Sequence, residues 1–213
     1  MYALTFAVHN HIYWGNYATA NSLVNELIGL AEETGAPYWK ATATGTQGWL
    51  FTMTGKASDA VRAISSALAS IRSIGATLYE PMSLSMLAMA HAELCQFEDA
   101  WFCVDEAIER VETSNEKWCE SEVHRFAGEI ALRSVAPDPR KAEAYFDRAL
   151  AVARTQKAKS WELRAAMSMA RLWRDQGKPQ QAHELLAPIF GWFTEGFDTL
   201  DLKQARALLE GLA

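Results

Sequence analysis

The stretch Ala100-Trp101-Phe102-Cys103-Val104-Asp105-Glu106-Ala107-Ile108-Glu109-Arg110-Val111 decides the fold. Ala100, Cys103, Val104, Ala107, Ile108 and Val111 recur at helical spacing and form one apolar stripe. The pattern is not local. Forty residues earlier stands Ala60, and forty before that Ala20. Two extra residues enter around Val135-Ala136-Pro137, and the series resumes at Ala142 and Ala182. Four positions after each alanine come Val24, Ile64, Val104, Phe146 and Leu186. Val8, Gly48, Ala88 and Gly128 keep the same step, as do Gly15, Gly55 and Cys95, and Gly35 and Gly75. Such an interval is the mark of a repeat architecture, in which no unit buries its apolar face alone and stacked neighbours share a core.

Each unit reads as two helices. Strand-like alternation is absent, and Gly15-Asn16, Gly55-Lys56 and Gly177-Lys178-Pro179 mark turns inside units. Asp138-Pro139 reads as a helix N-cap with its first turn. The pattern predicts helices over 2–14, 17–34, 38–54, 57–73, 79–94, 97–113, 117–134, 139–156, 160–176, 179–193 and 200–212. The expected fold is all-α: a single domain over 1–213, a right-handed α-α superhelix of five hairpins. Its units are 1–36, 37–76, 77–115, 116–157 and 158–198, with a capping helix at 199–213. The alanines are expected where paired helices cross closely, because a larger side chain there would push them apart.

Composition agrees. Of 213 residues, 50% are hydrophobic and 22% charged, which excludes a disordered chain. A net charge of −6 argues against bulk nucleic-acid binding. Three cysteines suit a reduced setting, and neither a secretory signal nor a membrane-spanning run is evident, so a cytoplasmic location is expected.

Gly48 and Phe51 followed by Ala60, Ile64 and Ala67 resemble the tetratricopeptide repeat. The period of 40 exceeds that family's 34 and implies longer helices. The runs 158–166 and 185–199, with Glu122-Val123-His124-Arg125 and Gly128-Glu129, also resemble the C-terminal repeat region of bacterial multidomain signalling proteins. In those, an adenylate cyclase or winged-helix domain and an ATPase module precede the repeats. The resemblance implies signal transduction by a chain that carries the repeats and no cyclase activity.

No reaction centre is apparent, and neither cofactor nor metal is expected. Gly191 and Gly196 have P-loop spacing, but Phe197-Asp198 follow where Lys-Ser/Thr is needed. His91 and Cys95 lie one turn apart and read as core or rim residues, with a shared metal as the alternative. His124, close to Glu120, Glu122 and Glu129, reads as part of a polar network between helices, with a general base as the alternative. Cys103 lies on an apolar stripe and reads as core. Trp49, Trp101 and Trp173 are expected in the core; Trp14, Trp39, Trp118 and Trp161 lie near helix ends.

Residues 140–178 hold ten basic and four acidic side chains. Arg164, Arg171 and Arg174 can share one helix face, either solvated or open to an acidic peptide or phosphate. The family resemblance places the first helix of each pair on the concave side. The register then aligns His9, Trp49, Met89, Glu129 and Arg171 as a candidate inner row, beside Thr5, Gly45, Ser85, Arg125 and Met167. The expected function is therefore a non-catalytic scaffold for a protein or peptide partner. The alternatives are a small-molecule sensor and a cyclase-related chain without activity. Residues 1–14 are apolar on more than one face, which raises homo-dimerisation.

Overall fold

The structure, a computed structural model, describes residues 1–212. Among them are eleven α-helices and no β-strand. The chain forms two compact units, Met1–Glu116 and Lys117 onward. The first holds α1 (Tyr2–Tyr13), α2 (Tyr17–Glu33), α3 (Pro37–Met53), α4 (Ala57–Ser73), α5 (Glu80–Glu93) and α6 (Phe97–Ser114). The second holds α7 (Glu120–Arg133), α8 (Pro139–Thr155), α9 (Lys159–Asp175), α10 (Pro179–Phe190) and α11 (Leu200–Glu210).

Most ends fall within two residues of the expected spans, and two differ more. The span expected from 117 opens as a 3-10 turn, Lys117–Cys119, before α7 begins at Glu120. α10 stops at Phe190 rather than 193. Pro188 lies inside it, and the chain then tightens into i→i−3 bonds, Trp192 N–H to Ile189 O at 3.3 Å and Phe193 N–H to Phe190 O at 3.2 Å.

Turn geometry follows the repeat more closely than the glycines do. A left-handed residue recurs every 20 positions from 15 to 115, and again at 157 and 177. Cys95 (φ 59°), Asn115 (φ 57°) and Lys157 (φ 56°) take this conformation without being glycine. At Cys95 the helix closes as it does at Gly55: Gln96 N–H bonds His91 O at 2.9 Å, as Lys56 N–H bonds Phe51 O at 2.9 Å. The turn at 134–138 is built differently. Asp138 N–H returns to Ala131 O at 3.0 Å, and the Asp138 carboxylate accepts the Lys141 N–H at 3.0 Å as the expected N-cap.

Helices pack in consecutive pairs: α1 on α2, α3 on α4 and α5 on α6, then α7 on α8 and α9 on α10. Within the units α3 also meets α5, α7 meets α9, and α11 packs on α9 and α10. The five register alanines, Ala20, Ala60, Ala100, Ala142 and Ala182, are all 0% exposed. In two pairs a glycine on the first helix meets the residue four positions after the alanine. A methyl group added at Gly48 would lie 2.4 Å from Ile64 Cγ1 and 3.1 Å from the Ile64 backbone N. At Gly128 it would lie 2.4 Å from Cε1 of Phe146. Val8 and Val24 occupy the same two register positions in the first pair and share one buried cluster. The register thus sets Val against Val, Gly against Ile, and Gly against Phe. As one side grows the other shrinks, which keeps the crossing close-packed.

Charge recurs with the repeat too. Arg72 Nε donates to Glu80 Oε1 at 2.6 Å, and Arg154 Nε donates to Glu162 Oε1 at 3.0 Å. Each pair ties the end of one hairpin's second helix to the start of the next hairpin. Arg72 also reaches Glu106 at 2.6 Å. Burial alone would raise the Glu162 carboxyl, but Lys159 and Arg154 hold it below its usual range.

Candidate functional site

The residues of the expected inner row divide between the two units. In the first, His9 and Trp49 stack with ring centroids 4.8 Å apart, and Tyr79 meets both edge-on. His9 Nε2 lies 3.2 Å from Thr46 Oγ1, and Trp49 Nε1 donates to Ser83 Oγ at 3.3 Å. Both rings are buried, at 6% and 2% exposure. Burial drives the His9 pKa down to about 4, so the ring is neutral near pH 7. The N-terminal end of the inner row therefore needs amending: these two rings join α1 to α3 inside the core rather than facing a groove. The apolar character of α1 and α3 pulls them in, and each ring finds one hydroxyl partner there. Met89 on α5 is half-buried.

In the second unit α7, α9 and α11 carry a charged network. Glu122 is fully buried and takes two hydrogen bonds from Arg125, Nε at 2.7 Å and Nη2 at 2.8 Å. It also receives Arg164 Nη1 at 3.4 Å. Arg164 Nε reaches Asp201 on α11 at 2.7 Å. Glu129 accepts from Ser168 Oγ at 2.7 Å and lies 3.7 Å from Arg125. Arg125 rests over the Phe126 ring at 4.3 Å and Arg164 over Trp161 at 5.3 Å. Desolvation favours neutral forms throughout, but at Glu122 the two guanidinium groups outweigh it and hold the carboxyl below its usual range. Arg125 is likewise desolvated, and Glu122 more than offsets this, holding the guanidinium above its ordinary value.

The three arginines expected on one face of α9 thus differ. Arg164 is bonded to Glu122 and Asp201. Arg174 is exposed and paired with Asp175 at 2.9 Å. Arg171 is half-buried and makes no hydrogen bond or ion pair among the described residues. Sequence reasoning missed Glu122 and Asp201 as partners. Glu122 sits seven residues before Glu129 on α7, a spacing that signals one shared helix face.

Other candidates fall elsewhere. His124 stands apart from the acidic network and stacks on Tyr145 at 6.2 Å. Its Nδ1 is buried without a hydrogen-bond partner among the described residues, and burial, with Arg148 nearby, lowers its pKa to about 4. His91 Nδ1 pairs with Gln96 at 2.8 Å, while Cys95 is exposed at the turn. Among the described residues no three His, Cys, Asp or Glu side chains gather as a metal site. Cys103 is buried, and burial pushes its thiol up to about 11. No helix is long and apolar enough to cross a membrane among the described residues.

No protein-family model matches the chain, and no curated protein matches it. Solved structures do. The crystal structure of BtubC (BKLC) from P. vanneervenii aligns over 98% of this chain and 80% of its own, with a TM-score of 0.62 at 19% identity. The nearly identical TPR-like repeats of a putative kinesin light chain from Podosopora anserina align over 98% of this chain and 94% of theirs, with a TM-score of 0.57 at 13% identity. A variant of those repeats gives 0.58 over 88% of this chain and 91% of its own, again at 13% identity. At these identities the likeness shows the fold alone. By fold, the chain is a tetratricopeptide-like all-α repeat protein.

Proposed function

We propose that the chain is a non-catalytic scaffold that holds a protein or peptide partner. The observation that carries this reading is the fold likeness to repeat proteins along nearly the whole chain. Rigid helix pairs with wedged crossings lose little conformational entropy on binding, which suits a fixed docking face. In the first unit the accessible residue of the expected row is Met89; in the second they are Glu129 and Arg171, with Arg174 exposed farther along α9. His9, Trp49, Arg125 and Arg164 act indirectly, by holding α1, α3, α7 and α9 in place. The sequence resemblance of residues 158–166 and 185–199 to signalling repeat regions supports a role in signal transduction inside the cell. The face holds the partner, or relays its occupancy to a signalling domain.

The test is affinity capture from the native host with the full chain as bait, followed by mass spectrometry of both protein and small-molecule fractions. A protein enriched over a Glu122→Ala bait with its network broken supports the scaffold. A small molecule retained in native mass spectrometry, with no enriched protein, overturns it in favour of a sensor. An assay with ATP, Mg²⁺ and Mn²⁺ is expected to show no turnover.

A further inference from the structure

Two helix faces outside the inner row stand open, and they carry opposite charge. α6 buries Ala100, Cys103, Val104, Ala107 and Val111 and packs on α5. Its opposite face holds Glu98, Phe102, Asp105, Glu109 and Glu112, spaced 4, 3, 4 and 3 positions apart, which makes one straight stripe. All five are exposed, Phe102 at 70%. None of the four carboxylates makes a hydrogen bond or ion pair among the described residues. The exposed rings of α1, Tyr2 and Phe6, have no such charged frame, since that helix contains no Asp, Glu, Lys or Arg.

α8 presents the counterpart. It buries Ala142, Phe146, Ala149, Leu150 and Ala153. Outward along it run Lys141, Ala144, Arg148, Ala151 and Thr155, spaced 3, 4, 3 and 4 positions apart, with Arg140 alongside. Arg140 makes no hydrogen bond or ion pair among the described residues, and Arg148 reaches Glu120 at 3.4 Å with its side chain 62% exposed. Asp147 is the one exposed acid within α8. Each stripe runs about 21 Å along its helix.

We propose that α6 of one copy of this chain docks on α8 of a second copy. Carboxylates of one face meet guanidinium and ammonium groups of the other, and this complementarity decides which faces pair. Ala144 and Ala151, one heptad apart, leave a hollow that the projecting Phe102 ring fills as a knob. Like charges oppose α6 on α6 and α8 on α8, so the contact joins unlike faces. A single helix pair makes a small contact, so association is reversible and grows with concentration. The assembly does not depend on the scaffold reading.

Sedimentation velocity of the full chain tests this, under reducing conditions so that the exposed Cys95 cannot link copies. At about 0.1 M salt the sedimentation coefficient is expected to rise with concentration. At about 1 M, where the screening length falls from about 10 Å to about 3 Å, the rise is expected to shrink. One variant carries Glu98→Lys, Asp105→Lys and Glu109→Lys; a second carries Arg140→Glu, Lys141→Glu and Arg148→Glu. Each alone is expected to stay monomeric, and an equimolar mixture of the two is expected to associate. A native chain that stays monomeric up to about 1 mM overturns the proposal. So does a variant that associates as the native chain does, or a mixture that does not associate. Circular dichroism checks that both variants fold. Phe102→Ala, at an exposed position, gives a second reading that leaves the charges in place. It is expected to weaken association about tenfold, and unchanged association overturns the knob. Asp147→Asn is expected to tighten association, because a carboxylate facing α6 is lost; weakening would place the contact on another face.

Discussion

Gly128→Ala adds a single methyl group where α7 crosses α8, and it tests the wedge at its tightest point. The new carbon would lie 2.4 Å from Phe146 Cε1, 2.6 Å from Cδ1 and 3.0 Å from Cζ. Phe146 is 0% exposed, so the ring has no solvent to move into. Overpacking of this kind costs about 1–3 kcal/mol. In a helix interior alanine is favoured over glycine by about 1 kcal/mol, which opposes that cost. With three ring atoms inside contact distance the cost falls at the upper end, leaving a net loss of about 1–2 kcal/mol. For a chain of this size that is a melting shift of roughly 3–6 °C downward. Gly29→Ala is the internal control, since a methyl group there meets nothing within 4 Å on α2. It is expected to raise stability by up to about 1 kcal/mol through propensity alone. Urea midpoints of both variants separate the terms. Phe146→Leu in the Gly128→Ala background is expected to recover at least about 1 kcal/mol relative to its effect in the native chain. If Gly128→Ala proves as stabilising as Gly29→Ala, the wedge does not set the crossing.

Cys95→Gly and Lys157→Gly relieve a left-handed backbone at φ 59° and 56° and are each expected to stabilise by about 0.5–1 kcal/mol in urea denaturation, whereas a loss at both would show that the side chains matter more than the turn. His9 and His124 are neutral when folded, with pKa values near 4, and take up protons near 6.5 when unfolded. Their contribution to stability is present above pH 6.5 and is lost as the pH falls toward 4; for the more deeply buried His9 the ceiling is about 3 kcal/mol. Thermal melts between pH 7.5 and 4 should show this slope diminished in His9→Phe; an unchanged slope would place the acid sensitivity elsewhere. Glu122→Gln leaves Arg125 and Arg164 without their shared carboxylate and is expected to cost about 3–5 kcal/mol, read as a lower urea midpoint; a neutral result would mean the network adds nothing to folding.

The periodic apolar pattern already carried the helices, since spacing at 3.6 residues and a forty-residue step are properties of the chain itself. The turns were only partly visible. Glycine announces a left-handed residue, but Cys95, Asn115 and Lys157 do not, although they adopt it at turn positions that glycine fills elsewhere. The candidate site was less legible still. Arg171 could be named from its position, yet its isolation depends on Glu129 and Asp201 having other partners. His9 and Trp49 fell in the right register for a groove and turned inward instead.

What the amino-acid order determined by itself is the brick and its rhythm: two helices, an alanine at a fixed place in the second, and a copy about every forty positions. Only the tertiary structure decided which small residue meets which large one, Gly48 against Ile64 and Gly128 against Phe146, and which charges close on one another. Periodicity follows from the geometry of a single helix, whereas volume and charge are balanced between helices far apart in the chain. Such a balance exists only once both partners occupy the same space.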